Sequence, residues 1–553
     1  MTSRLIRRLA AAALLTCAAP LSAQPDTVAD RARLDRFFAE VDTDSTPGCV
    51  VGVARRGQPT LLRAYGLANL ETGTPNTPAT VFEAGSVSKQ FTAAAVLMLA
   101  QQGRLSLDDD VRWYLPELPD YGTPVTLRQM LNHTSGLREW SAVAEIGGWP
   151  RGTSVYTQGD VLRMAARQRA LNFAPGTEYL YSNTNYTLAA IVVERVSGMP
   201  FAEFTRRALF APLGMAHTGW RDDFRGVVRG RADAYGSMGG GGWRLNMPFE
   251  NTLGHAALLT TVEDLLRWNA NLDAPSVGGD DFARRMQEPG RLAGGRAASY
   301  ALGLDVGMRG GTPSVSHAGA TGGYHSFLGR YPARGLSVAL LCNAGSINTE
   351  EMGPLLADLF LPPPPPVAPM GTVPATTLSA AELAAPLGLY RNARTAMPVT
   401  VEARPGGFSV NGGAPYVARS ATRFATADGS REARLLAPGE GGRGALHILR
   451  ATGDTTRLVP VDAWRADASP ADFAGEYTSD EADARVVIRS EGDALVLYTR
   501  PEVEMRLEPA YRDALQAPDD GWLFVFERDA GGRVTAMTAW TTRSRAIRFE
   551  RLR

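Results

Sequence analysis

Phe82-Glu83-Ala84-Gly85-Ser86-Val87-Ser88-Lys89 runs through Gln90 into Phe91-Thr92-Ala93-Ala94-Ala95-Val96-Leu97-Met98-Leu99, a segment apolar on every face. A helix without a polar side belongs inside a protein, so the pattern predicts a buried helix over residues 86–102. Ser86 then stands at the helix start, where the partial positive dipole favours negative charge. Lys89, three residues on, shares its face. A neutral amine at that place accepts the hydroxyl proton and activates an otherwise weak nucleophile. Ser88 has the wrong spacing to Lys89 and reads as structural. Composition adds weight: of 57 Lys plus Arg, 56 are Arg, so Lys89 is the single lysine. Arg does not give up its proton in a protein, whereas a desolvated Lys does and serves as a base.

Working outward, residues 27–41 read as an amphipathic helix. Strands are expected at residues 49–55 and 60–65, with a turn at Gly57. A helical middle extends to about Leu272 and includes residues 186–196 and 262–271. Strands return near residues 300–306, 314–318, 325–331 and 336–341. Strands at both ends of a helical middle predict one α/β domain, residues 24–360, whose sheet joins the first and last segments. The Gly239-Gly240-Gly241-Gly242 run lacks the strand–turn–helix setting of a nucleotide loop and reads as a mobile loop.

Two further stretches supply partners for Ser86 and Lys89. In Tyr181-Ser182-Asn183, a Tyr beside a cationic Lys has its pKa lowered and shuttles protons to a leaving group. The Asn183 amide orients Lys89 and holds a substrate carbonyl. In His317-Ala318-Gly319-Ala320, Gly319 lets a substrate lie against the strand edge. The amides of Ser86 and Ala320 then form an oxyanion hole, worth ~3 kcal/mol per donor.

The start of the chain reads as a Sec-type signal peptide over residues 1–23. Arg4, Arg7 and Arg8 precede the apolar stretch 9–19, and Leu21-Ser22-Ala23 offers a small-residue cleavage site. Leu15-Thr16-Cys17 is a poor lipoprotein signal, and no later stretch is apolar and long enough to cross a bilayer. The expected location is periplasmic or secreted. Cys49 and Cys342 lie in apolar strand-like runs. They read either as buried free thiols or as a disulfide suited to an oxidising compartment. Zero net charge without a basic run excludes nucleic acid and anionic membrane partners. The six His are scattered and no Cys has metal-ligand neighbours, so neither a metal nor an organic cofactor is expected. Oligomeric state is not legible.

Pro362 to Pro366, then Val367-Ala368-Pro369, form a stiff linker over residues 361–377. Beyond it the chain is β-rich and repeats itself. Leu387-Gly388-Leu389-Tyr390 recurs as Ala474-Gly475-Glu476-Tyr477, and two further matches fall in the same register. Two antiparallel barrel-like or sandwich-like modules are expected, at residues 378–465 and 467–553.

Ser-x-x-Lys, Tyr-x-Asn and His-x-Gly in this order resemble the class C β-lactamase-related, penicillin-binding-protein-like serine hydrolases. Leu131-Asn132-His133-Thr134-Ser135-Gly136-Leu137, Pro212-Leu213-Gly214-Met215 and Thr261-Val262-Glu263-Asp264-Leu265 add to the likeness, which covers about residues 30–360. The resemblance implies a five-stranded antiparallel sheet flanked by helices and an acyl-enzyme on Ser86. It also implies that the first and last strands are neighbours, which brings Cys49 and Cys342 together as a disulfide. His-Ala-Gly replaces the Lys-Thr-Gly usual in β-lactamases and D,D-peptidases, and with the two trailing modules resembles the D-aminopeptidase type. An imidazole is mostly neutral at pH 7 and holds a substrate carboxylate less well than a fixed cation. The expected activity is cleavage of an amide or ester in a small molecule or short peptide, as a peptidase or aminopeptidase. Carboxylesterase, β-lactamase or D,D-carboxypeptidase, and a non-enzymatic peptidoglycan- or peptide-binding protein are the alternatives. Ser86, Lys89 and Tyr181 carry the chemistry, with Asn183, His317 and Gly319 positioning substrate.

Overall fold

Alternation along two apolar strands sets the architecture in the computed structural model, which describes residues 28–363, 376–437, 443–450, 453–464, 469–492, 494–500 and 503–552. The leader over residues 1–23 and most of the proline linker lie outside the described residues. Helix α1 (Val28–Phe37) precedes strands β1 (Cys49–Arg55) and β2 (Gln58–Tyr65). The sheet is completed far along the chain by β3 (Asp305–Arg309), β4 (Thr312–Thr321), β5 (Tyr324–Tyr331) and β6 (Leu336–Cys342), in the order β3-β4-β5-β6-β1-β2. Every neighbouring pair is antiparallel.

Successive side chains of a strand point to opposite faces. Val50 and Ala54 of β1, with Ala339 and Leu341 of β6, join one core. Cys49, Val51 and Val53, with Leu336, Val338, Leu340 and Cys342, join the other. The first core holds α2 (Lys89–Gln101), α4 (Asn183–Ser197) and α5 (Val262–Asp273), numbered with α3 (Trp140–Ile146) between. The second is closed by Leu34 of α1 and by α6 (Thr349–Asp358). Cys49 stands opposite Cys342 in the β1–β6 register, and the two are joined by a disulfide.

Two expectations change. The sheet has six strands rather than five, because β3 adds an edge. The strand expected near residues 300–306 starts only at Asp305; a turn at Gly303 (φ 75°) precedes it and leaves Tyr300 buried against the site. The Gly239–Gly241 run closes a hairpin between Tyr235–Met238 and Gly242–Leu245. Among the described residues no helix is long and apolar enough to cross a membrane.

The tail forms two closed barrels of eight strands each, from Gly388–Asn392 to Thr455–Pro460 and from Gly475–Ser479 to Ile547–Arg551. Their repeat extends to side-chain chemistry. Tyr390 and Tyr477 are both fully buried, and each hydroxyl donates to the carbonyl four residues back, Pro386 at 3.0 Å and Phe473 at 2.8 Å. The second barrel packs on the sheet-and-helix domain: Ala142, Val143 and Ile146 of α3 share its core, and Trp522 Nε1 donates to Glu145 Oε1 at 3.1 Å.

Candidate active site

Ser86 sits in a 3₁₀ turn, Gly85–Ser88, that feeds directly into α2, so the first turn of the expected helix is tighter than an α-helix. Two glycines let this turn press on β4. Gly85 has φ 49°, and a Cβ there would meet the Ala320 amide nitrogen at 2.6 Å. A Cβ on Gly319 would meet the Ala84 carbonyl oxygen at 2.3 Å and the Ser86 nitrogen at 2.8 Å. Gly319 therefore makes room for the nucleophile turn, where the sequence suggested room for substrate. The outcome sets Ser86 beside the backbone of Ala320, and both line one cleft of about 310 Å³.

Lys89 is fully buried, and its Nζ has three polar neighbours. Ser86 Oγ lies at 3.0 Å, Asn183 Oδ1 at 2.9 Å and the His255 carbonyl oxygen at 2.8 Å. Burial pushes the ammonium well below its usual range; Glu139 opposes this, while Arg543 and Arg151 add to it. A neutral amine has two protons to donate and one lone pair. Asn183 Oδ1 and the His255 carbonyl are pure acceptors and take the two protons, which leaves the lone pair facing the Ser86 hydroxyl. That is the arrangement a general base needs.

The orientation of Asn183 is fixed from behind by Glu139, which the sequence did not reveal. Glu139 is buried at the start of α3; its carboxylate accepts from the Asn183 backbone N–H at 2.5 Å and from Nδ2 at 3.3 Å. His133 was also missed. Its Nδ1 accepts from the Ser182 N–H at 3.2 Å and its carbonyl from Leu180 N–H at 2.9 Å, so it cradles the segment bearing Tyr181 and Asn183. Burial, aided by Lys89, holds this imidazole well below its ordinary pKa, hence neutral. His255 contributes its carbonyl from a strained loop, with Gly254 at φ 94° and Ala257 at φ 73°.

Lys89 Nζ stands 4.8 Å from the centroid of the Tyr181 ring. The expected lowering of the Tyr181 pKa is reversed: burial raises it, and a hydrogen bond with Ser86 offsets only part of the rise. Burial disfavours the charged phenolate and is the largest influence on this ring. Tyr181 thus remains a phenol, able to give a proton. His317 lies behind Tyr181, their ring centroids 6.3 Å apart. Its Nδ1 contacts the Ala318 carbonyl, which can only accept, so Nδ1 carries the proton and Nε2 accepts from Tyr300 OH at 2.8 Å. Burial, then Lys89, pushes His317 down to about 3, so it adds no cation. Ala318, Gly319 and Ala320 line the cleft, whereas His317, expected to position substrate, is buried behind it and bonds Tyr300, whose ring packs edge-on against Tyr181. Ser88 is buried and its hydroxyl accepts from Leu258 N–H at 3.3 Å.

The opposite rim comes from the second barrel. Arg543, in the loop between Val534–Trp540 and Ile547–Arg551, lines the cleft, with its guanidinium carbon 5.1 Å from the Tyr181 ring centroid. The cleft also contains Arg151, paired with Glu250, and Asn348, Thr349 and Glu350 at the start of α6.

The beta-lactamase family profile matches residues 34–358. The D-aminopeptidase of Brucella melitensis biotype 1 is 28% identical over 545 residues, covering 92% of this chain and 96% of its own. That of Brucella anthropi is 27% identical over 561 residues, covering 95% and 99%. Among solved structures, the octameric penicillin-binding protein homologue from Pyrococcus abyssi superposes with a TM-score of 0.54 at 21% identity, over 78% of this chain and 99% of that one. The D-amino acid amidase from Ochrobactrum anthropi SV3 gives 0.50 at 20% identity, over 60% and 98%. These two share the fold. The profile match takes in more than half of the residues, including every strand of the sheet, and on that ground the chain belongs to the beta-lactamase family and is a serine hydrolase.

Proposed function

We propose that this serine hydrolase is an exported aminopeptidase acting on short peptides that begin with a D-residue. The observation that carries this reading is the extent of the likeness to the D-aminopeptidases, which spans 92% of the chain and so takes in both barrels as well as the catalytic domain. The basic-then-apolar leader and the Cys49–Cys342 disulfide support export.

Ser86 Oγ attacks the carbonyl of the first residue while the Lys89 lone pair takes the hydroxyl proton. Negative charge on the carbonyl oxygen is held by the amides of Ser86 and Ala320. As the C–N bond breaks, Tyr181 gives its proton to the departing amine and is recharged from Lys89. Water then attacks the ester on Ser86 with the same groups working in reverse, releasing the free acid. Asn183 and the His255 carbonyl keep the amine aimed throughout.

The test is turnover of D-alanyl, L-alanyl and N-acetyl-D-alanyl p-nitroanilides by the mature protein and its Ser86→Ala variant. The D-alanyl substrate is expected to be preferred, and kcat should fall by about 10³-fold or more in the variant. Equal rates in the two proteins would remove Ser86 from the mechanism. Preference for the acetylated substrate would remove the aminopeptidase reading.

A further inference from the structure

The loop that carries Arg543 is locked in place. The Thr541 hydroxyl accepts from the backbone N–H groups of Arg543 and Ser544 at 3.2 and 2.9 Å. Ser544 Oγ accepts from Glu139 N–H at 3.1 Å and donates to the Glu139 carbonyl at 3.3 Å. Asn172 Nδ2 donates to the Arg543 carbonyl at 3.0 Å, and Arg138 donates to the carbonyls of Arg545 and Ala546. The other guanidiniums here all have carboxylates: Arg138 has Glu481, Arg545 has Glu178 and Arg151 has Glu250. Among the described residues Arg543 has no carboxylate partner, and it faces the cleft that holds Ser86. In the same cleft, on the side of the sheet and α6, Glu350 has no basic partner among the described residues. Two unpaired opposite charges in a cleft of about 310 Å³, at the small end of ligand sites, call for a short ligand with a charge at each end.

We propose that the cleft selects zwitterionic dipeptides, with Arg543 receiving the carboxylate of the leaving amino acid and Glu350 the free α-ammonium of the residue that acylates Ser86. This rests on the aminopeptidase reading and narrows it. Arg543 lies over Tyr181, the donor to the departing nitrogen, and the carboxylate of a leaving amino acid is only two bonds from that nitrogen. A planar guanidinium takes a carboxylate in two parallel hydrogen bonds, which a neutral His317 cannot do. The rigid loop holds the group in place before substrate arrives, so little ordering is needed on binding. The asymmetry of the two walls also fixes direction: ammonium towards α6, carboxylate towards the barrel.

The experiment compares kcat/KM for D-alanyl-glycine, its C-terminal amide D-alanyl-glycinamide, and N-acetyl-D-alanyl-glycine. The full-length protein, Arg543→Ala, Arg543→Lys and Glu350→Gln are assayed side by side. The readout is a ratio, because removing a cation near Lys89 changes the rates of all substrates together. The acid is expected to exceed the amide by about tenfold or more in the parent. Arg543→Ala should bring that ratio near one, and Arg543→Lys should keep part of it. In Glu350→Gln, discrimination against the acetylated peptide should drop by about tenfold. Equal acid and amide rates in the parent, or an unchanged ratio in Arg543→Ala, overturn the dipeptide inference alone. If the parent leaves all three peptides intact but hydrolyses a p-nitrophenyl ester through Ser86, the peptidase reading falls and this inference falls with it.

Discussion

Lys89 has no fixed charge to lend to its neighbours, and much of the site's chemistry follows from that. Its burial holds the amine towards the neutral form, against the pull of Glu139. A lysine whose pKa is lowered is active above that pKa and blocked by protonation below it. The acylation rate should therefore rise with pH along a single acid limb set by Lys89. Glu139 favours the charged form, so Glu139→Gln should move this limb to lower pH; a shift upwards would contradict the assigned coupling. Tyr181, raised by burial, stays protonated beyond the ordinary tyrosine value of 10.0, so with an ester that has no α-ammonium no alkaline limb should appear up to about pH 10. His317, held at about 3, contributes no limb near the 6.5 of a free imidazole. A kcat/KM profile from pH 5 to 10 on p-nitrophenyl acetate, which has no α-ammonium, checks all three statements for parent and variant.

At the scale of elements, the site is a 3₁₀ turn clamped between α2 and β4, and the clamp closes because neither Gly85 nor Gly319 has a side chain. Gly319→Ala would drive a methyl group to 2.3 Å from the Ala84 carbonyl, so turn and strand must separate. We expect a loss of about 10²-fold in kcat and of about 1–3 kcal/mol in stability, read by turnover and by denaturant midpoint. The motif serines, lysine, tyrosine and asparagine were legible because their spacing is local or their order is distinctive. The central strands β1 and β6 were legible because both faces are buried and their sequences run apolar almost without a break, whereas β3, exposed along much of its length, was placed too early. The sign of the Tyr181 shift was not legible, since it depends on burial of the ring itself, which the local sequence does not show. His133 lies in a stretch noted for its family likeness but was given no role, and Glu139 carried no signal; only folding brings them behind Ser182 and Asn183. Gly319 was singled out correctly as a close approach, but the neighbour proved to be the protein's own backbone.

At the scale of the molecule, the second barrel builds one wall of the cleft that holds Ser86. Arg138, with 2% of its side chain exposed, pairs with Glu481 at 2.6 Å and also holds the barrel loop that ends at Arg545 and Ala546. Arg138→Ala leaves a buried carboxylate without its cation, at a cost of about 3–5 kcal/mol. We expect a lowered denaturant midpoint together with loss of activity as Arg543 shifts. A full loss of activity with an unchanged midpoint would place Arg138 in direct contact with substrate instead. Arg543 itself was invisible to sequence reading, because it lies 457 positions from Ser86 in the chain and in a different domain. The scarcity of lysine has one more outcome at this scale. The chain of 553 residues has a single side-chain amine, sealed where helices and sheet meet. Amine crosslinkers therefore find only the α-amino terminus on the native protein, and a second amine becomes available when the packing around Lys89 opens. Lys89 is thus a built-in reporter of whether the fold around it is closed.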